Sequence, residues 1–183
     1  PGLKVVYPAF PYDAKGLLIA AIEDPNPIIY FEHKYLYRSL VGLVPEGYYT
    51  VEIGKANVLK NGEQLTIITY GLGVHWALDY LKSNPEISAM LVDLVSLQPW
   101  DKEAVAAAVK STRRVIILHE DTLSSGFGAE VAAWIGEHCF SDLDAPVMRC
   151  ASLDTAIPMS KVLEDDFLAK SRLGEMIDKI LAY

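Results

Sequence analysis

The chain has 183 residues, of which 51% are hydrophobic and 22% charged, and a formal net charge of −8. This composition excludes disordered and collagen-like classes. The acidic balance also argues against a nucleic-acid groove or an anionic membrane surface, which both need clustered Lys and Arg. The length accommodates one good-sized domain, or one domain with part of a neighbour. The two cysteines, Cys139 and Cys150, form no CxxC pair and lie in apolar stretches, which predicts a reduced, cytoplasmic setting. The longest apolar runs, 16–22 and 65–70, fall short of the ~20 residues of a membrane helix, and no Lys/Arg-led signal peptide opens the chain. Pro1 is not an initiator, so the expectation is a chain that starts after processing or is a piece cut from something longer.

In chain order, the β-branched run 4–8 predicts a strand closed by a proline, and 13–23 places Leu17, Leu18, Ala21 and Ile22 at helical spacing. Asp24-Pro-Asn-Pro27 stops that helix, and 28–31 resumes an extended run, completing a βαβ unit. Residues 32–47 read as a connector. Beyond residue 50 the alternation is regular. Strands are predicted at 65–70, 89–94, 115–118 and 147–150, with helices at 74–82, 101–110, 129–139 and 173–181, Asp101 serving as an N-cap. Strand and helix alternating at this spacing predict a mainly parallel, open sheet with helices on both faces, which is an α/β fold. The near-continuous apolar strands agree, because both faces of such a sheet are covered.

Three strand-end features could carry chemistry. Tyr70-Gly-Leu-Gly-Val-His75 follows a strand and opens a helix, with Asp93 ending the next strand, as in a dinucleotide fingerprint. Trp76 stands where that fingerprint needs its third glycine, and a tight strand-to-helix turn using Gly71 and Gly73 is the alternative. Ser124-Ser-Gly-Phe-Gly-Ala129 presents a second turn, where Gly126 and Gly128 either expose amides to an anion or only turn the chain. His119 beside Glu120 ends a strand on the edge where open α/β sheets place ligands; the other reading is an ordinary polar strand end. His33, His75, His119 and His138 lack zinc-site spacing, and Ser124 and Ser125 do not sit in GxSxG. Ala21-Ile-Glu-Asp24-Pro-Asn26 gathers the free carbonyls of a helix end, which suits either capping or an oxygen-loving cation.

The words themselves carry a resemblance. Pro1-Gly-Leu-Lys-Val-Val6, Pro11-Tyr-Asp-Ala-Lys-Gly-Leu-Leu18, Glu23-Asp-Pro-Asn-Pro27, Phe31-Glu-His-Lys34 and Leu36-Tyr-Arg38 closely resemble the beta subunit of the thiamine-diphosphate-dependent first component of 2-oxo acid dehydrogenase complexes. Val44-Pro-Glu-Gly47, Ile53-Gly-Lys-Ala56, Gly128-Ala-Glu130, Leu143-Asp-Ala-Pro-Val147 and Asp154-Thr155 continue it over essentially the whole chain. The words at 31–38 look more like the branched-chain (2-oxoisovalerate) and bacterial pyruvate types than the mitochondrial pyruvate type. One departure is Ala156, where the family's word has a proline.

The resemblance implies a transketolase-type C-terminal domain over 46–183, preceded at 1–45 by the last βαβ piece of the pyrimidine-binding domain and a connector. The implied reaction of the intact enzyme is oxidative decarboxylation of a 2-oxo acid with acylation of a lipoyl group. The family's proton-handling glutamate lies upstream of the matched words, and its thiamine diphosphate and magnesium are held by an alpha subunit or alpha-like half. Alone, the chain is therefore expected to be inactive, with no catalytic or cofactor-binding residue of its own. What the resemblance leaves here is a potassium half-site at Ala21, Asp24 and Asn26, a surface for a second beta chain, and a docking surface for the dihydrolipoyl acyltransferase core in which the terminal Tyr183 takes part. The alternatives are an interaction module without catalysis, or a nucleotide-binding domain using Gly71 and Gly73.

Overall fold

The computed structural model describes residues 2–183. The N-terminal unit is β1 (Lys4–Val6), α1 (Pro11–Glu23) and β2 (Ile28–Tyr30), with β1 and β2 parallel in register Lys4↔Ile28 and Val6↔Tyr30. Pro11 opens α1, where its missing N–H costs nothing. Pro25 has no N–H to offer the Ala21 carbonyl, so the helix ends there. The connector holds one helical turn not expected from the sequence, α2 (Leu36–Ser39).

The larger sheet has the order β3-β5-β4-β7-β8, from β3 (Asn57–Lys60), β4 (Leu65–Thr69), β5 (Ala89–Asp93), β7 (Val115–Thr122) and β8 (Met148–Ser152). All neighbours are parallel except the edge strand β3, which runs antiparallel to β5. The crossovers are α3 (Leu72–Ser83), α4 (Lys102–Thr112) and α5 (Gly128–His138); α6 (Lys161–Phe167) and α7 (Leu173–Leu181) close the chain. Asp101 is the expected N-cap, accepting from the Ala104 amide at 3.0 Å.

Alternation along each strand divides the core. Ile67, Leu91 and Leu118 face α3 and α7 through Ala77, Leu81, Ile177 and Ile180. Ile68, Val92 and Ile117 face α4 and α5 through Val105, Val109, Val131 and Ile135. Every residue of β4 is buried, as a strand covered on both faces requires.

Neither β3 nor β6 (Ser96–Gln98) is expected as a strand from the sequence. Strand β6 leaves the larger sheet and pairs antiparallel with β1, so the small sheet has the order β2-β1-β6. Val95, at φ 58, turns the chain there and packs with Val6 and Leu17. The N-terminal unit is thereby stitched to the larger sheet at the carboxyl ends of its strands.

Candidate functional site

The chain leaves β4 toward β5 on one side and returns to β7 on the other, so the strand order reverses beside β4. Open α/β sheets place ligands at the carboxyl ends of strands at such a point. Here that edge carries Tyr70, Asp93, His119 and Glu120, and a cleft of about 470 Å³ opens over it between Tyr7, Phe31, Tyr70, Phe127, Glu120 and Phe167. The ring centroids of Phe31, Tyr7, Tyr70 and Phe127 follow one another at 5.8, 5.9 and 5.9 Å. Burial, with the nearby carboxylates Glu120 and Asp121, pushes the Tyr7 and Tyr70 phenols well above their ordinary range.

Both glycine turns are filled by the protein's own side chains. A Cβ on Gly71 would lie 2.6 Å from the Tyr7 ring, and one on Gly73 would lie 2.3 Å from Thr69 Oγ1. Asp93 is 0% exposed, beyond reach of any ribose. The nucleotide-binding alternative is therefore corrected to a tight turn: the surface a pyrophosphate would approach is covered by β1 and the loop after it. Likewise, Gly126 and Gly128 make room for His119, whose ring atoms stand 2.7 and 2.3 Å from where their Cβ atoms would be. The second turn is thus a cradle for an imidazole, closed on its other side by the Tyr70 ring, 6.3 Å away and within 7° of parallel.

His119 is fully buried, and neither ring nitrogen has a hydrogen-bond partner. Burial lowers its pKa, with Asp121 opposing. Its neighbour Glu120 turns outward and meets His33 Nε2 at 2.9 Å, tying the segment after β2 to the end of β7. His75 reaches the Ala9 carbonyl at 2.8 Å and His138 the Trp134 carbonyl at 2.9 Å, so both serve packing. Ser124 is clamped by Asp154, amide to Oδ1 at 2.8 Å and hydroxyl to Oδ2 at 2.7 Å, and Ser125 holds a left-handed φ of 64°.

Ala21, Asp24 and Asn26 share the turn after α1. The Asp24 carboxylate is taken by the Lys4 ammonium and accepts from the Asn26 amide at 2.9 Å. The Lys4 contact, first, and the Asn26 contacts hold its pKa below the usual carboxylate range. Tyr183 is 61% exposed and borders a groove of about 770 Å³ with Ala132, Ala133, Gly136, Phe140 and Arg149. Both cysteines are buried and unpaired. Among the described residues, no group of three or more His, Cys, Asp or Glu could hold a metal, and no helix is long and apolar enough to cross a membrane.

Sequence reasoning missed a polar row at the ends of β3, β5 and β4. Asn57 pairs with Asp93 across β3 and β5, and Asp93 with Thr69 across β5 and β4. Val95 N donates to Asp93 Oδ1 at 3.0 Å, whereas Asp93 Oδ2 and Thr69 Oγ1 have no partner. Burial, with the Val95 amide opposing and the Asp13 charge adding, pushes the Asp93 carboxyl up to about 7. Asp13, in the first turn of α1, is also buried, and its pKa is raised by that burial and drawn partly back by the Asn57 side chain. The available signal was the coincidence of a Thr and an Asp each ending an otherwise apolar strand.

The strand-end turns of this open, doubly wound α/β domain are thus filled by its own side chains. Comparison with known proteins gives it a family. The chain belongs to the family of the transketolase C-terminal domain, whose profile matches residues 54–172. It is 47% identical over 171 residues to the 2-oxoisovalerate dehydrogenase subunit beta of Bacillus subtilis (strain 168), covering 92% of this chain and 52% of the relative. To the pyruvate dehydrogenase E1 component subunit beta of the same organism it is 46% identical over 164 residues, covering 88% and 50%. Among solved structures it is similar to a split gene transketolase, inactive beta4 tetramer, at a TM-score of 0.78 and 25% identity, covering 100% of this chain and 58% of that one. The chain thus spans about half the length of the curated relatives it matches.

Proposed function

We propose that this chain serves a thiamine-diphosphate-dependent 2-oxo acid dehydrogenase of the 2-oxoisovalerate or pyruvate type, as the beta-chain portion that supplies scaffold and interfaces. The observation that carries this reading is the 47% identity, over 92% of the chain, to a 2-oxoisovalerate dehydrogenase beta subunit. In this reading residues 1–45 complete a pyrimidine-binding domain and 46–183 form the transketolase-type domain. The residues present do not fit thiamine diphosphate: each glycine turn that could cradle a diphosphate is filled by Tyr7, Thr69 or His119. No step of decarboxylation is assigned to them, and the cofactor with its magnesium belongs to an alpha subunit or alpha-like half.

Two interfaces and an ion half-site follow from the same reading. The groove bordered by the small residues of α5 suits close approach of a second beta chain. Tyr183, bordering that groove, suits a basic docking domain of the dihydrolipoyl acyltransferase core, which the net charge of −8 would attract. At the end of α1, Ala21, Asp24 and Asn26 offer carbonyl oxygens for half of a potassium site; the Ala21 carbonyl has lost its usual donor to Pro25. A cytoplasmic setting suits the two free, buried thiols.

The test is a chimera. The pyrimidine-binding half of the Bacillus subtilis 2-oxoisovalerate dehydrogenase beta subunit is fused ahead of this chain and co-expressed with its alpha subunit. The expected result is an assembled enzyme that reduces an artificial acceptor with 2-oxoisovalerate or pyruvate. Assembly without turnover on either acid overturns the reading. Capture of an acyltransferase docking domain, lost on deletion of Tyr183, is the expected result for the docking surface.

A further inference from the structure

The cleft at the carboxyl ends of β4 and β7 combines aromatic rings with negative charge and offers no positive charge of its own. Phe31 and Ile157 stand at its mouth, 49% and 74% exposed, while Tyr70 and Phe167 form a floor more than nine-tenths buried. Glu120, Asp121 and Glu164 also line it, and among the described residues no Lys, Arg or His does. Glu120 meets His33 through Oε2, but neither Asp121 nor Glu164 forms an ion pair among the described residues. A cleft lined by one sign of charge over apolar walls concentrates counter-ions.

Tyr70 points to a ligand independently of that charge. It is 8% exposed and lines the cleft, and its hydroxyl meets no hydrogen-bond partner among the described residues. That oxygen is not among the polar atoms sealed from solvent, so it opens on the cleft. A buried tyrosine ordinarily finds a partner for its hydroxyl. Burial, with Asp121, Tyr7 and Glu120 adding, keeps the phenol protonated, and its lone pairs remain free to accept.

We propose that this cleft binds a small aliphatic primary amine as its ammonium ion. An ammonium carries three N–H donors, for which the Tyr70 oxygen and the flanking carboxylates are acceptors. Phe31, Tyr7, Tyr70 and Phe127, whose ring centroids succeed one another within 6 Å, add the attraction of aromatic rings for a cation. The alkyl stem covers Leu97, Phe167 and Leu168, which removes apolar surface from water. A volume of about 470 Å³ lies within the ~300–1,000 Å³ range of small-molecule pockets. A quaternary ammonium would satisfy the rings but has no N–H for Tyr70, and an anion is repelled. Every group named belongs to this chain, so the site needs no alpha subunit.

The test titrates the full chain with hexylammonium, hexyltrimethylammonium and hexanoate, which share one alkyl stem, by calorimetry and by amide chemical shifts. The expected result is one hexylammonium per chain, with shifts concentrated at 120–127 and 164–168. Hexyltrimethylammonium, which lacks N–H donors, should bind about tenfold more weakly, and hexanoate not at all. Tyr70→Phe keeps the ring and should weaken hexylammonium about tenfold while leaving hexyltrimethylammonium unchanged. Glu164→Gln, at an exposed position of α6, should weaken both cations about threefold, and it keeps the test open if Tyr70→Phe misfolds. Equal binding of hexylammonium and hexanoate would leave a merely apolar cleft and overturn the proposal. Amine binding that neither variant changes would put the ion elsewhere on the acidic surface and overturn it equally, as would the absence of saturable binding.

Discussion

The cradle around His119 yields a prediction with an internal control. In Gly128→Ala the new methyl would sit 2.3 Å from both Cδ2 and Nε2 of His119 and 3.1 Å from Ile117 Cγ2. The imidazole has nowhere to go: it is fully buried, with Tyr70 on one side and Gly126 on the other. Overpacking of this kind costs about 1–3 kcal/mol. Gly136→Ala makes the same substitution in the same helix, but nothing lies within 4 Å of its Cβ. There the lower backbone entropy of alanine should stabilise by about 0.5–1 kcal/mol. At roughly 2–4 °C per kcal/mol for a chain of this size, Gly128→Ala should lower the melting temperature by about 2–12 °C and Gly136→Ala raise it by about 1–4 °C. Circular dichroism melts on dilute protein, where association does not contribute, provide the assay. Removing the ring in His119→Ala should make room for the methyl, so the double variant should lose less stability than the sum of the single ones. Equal effects at positions 128 and 136, or strict additivity with His119→Ala, would refute the cradle.

Other outcomes follow from single contacts. Burial lowers the His119 pKa, so the unfolded chain takes up a proton below about pH 6.5 that the folded chain refuses. Its contribution to stability is therefore complete above that pH and is lost on acidification, by up to about 1.4 kcal/mol per pH unit; His119→Phe should flatten this slope in urea titrations between pH 5 and 7. Asp101→Ala removes the cap on the Ala104 amide and the contact with the Ala56 amide at 3.3 Å, so it should cost about 1–2 kcal/mol in urea unfolding. Ile67→Ala, at the centre of β4 and 0% exposed, should cost about 2–5 kcal/mol by the same measurement. Gly62→Ala would force a methyl to 2.1 Å from the Ala89 carbonyl carbon, which is backbone and cannot rotate away, so low soluble yield is the expected result of expression trials.

The sequence by itself determined the parallel core. β4, β5, β7 and β8 are apolar runs flanked by amphipathic helices, and that periodicity is local, so it can be read without knowing any contact. Proline placement likewise determined both ends of α1, because a missing N–H acts at its own position. The motif words pointed to the family of the C-terminal domain, now supported by a match over 54–172. Only the tertiary structure decided what the strand-end turns do. Gly71 and Gly128 look alike in the sequence, as glycines opening helices after strands, but one faces Tyr7 from β1's loop and the other His119 from β7. The short strands β3 and β6 were hidden for the same reason. Neither is long enough to show a period, and each exists because a distant partner, β5 or β1, offers free backbone groups. The polar row is the sharpest case: Asn57, Thr69 and Asp93 are unremarkable singly, and strand register alone sets these residues side by side.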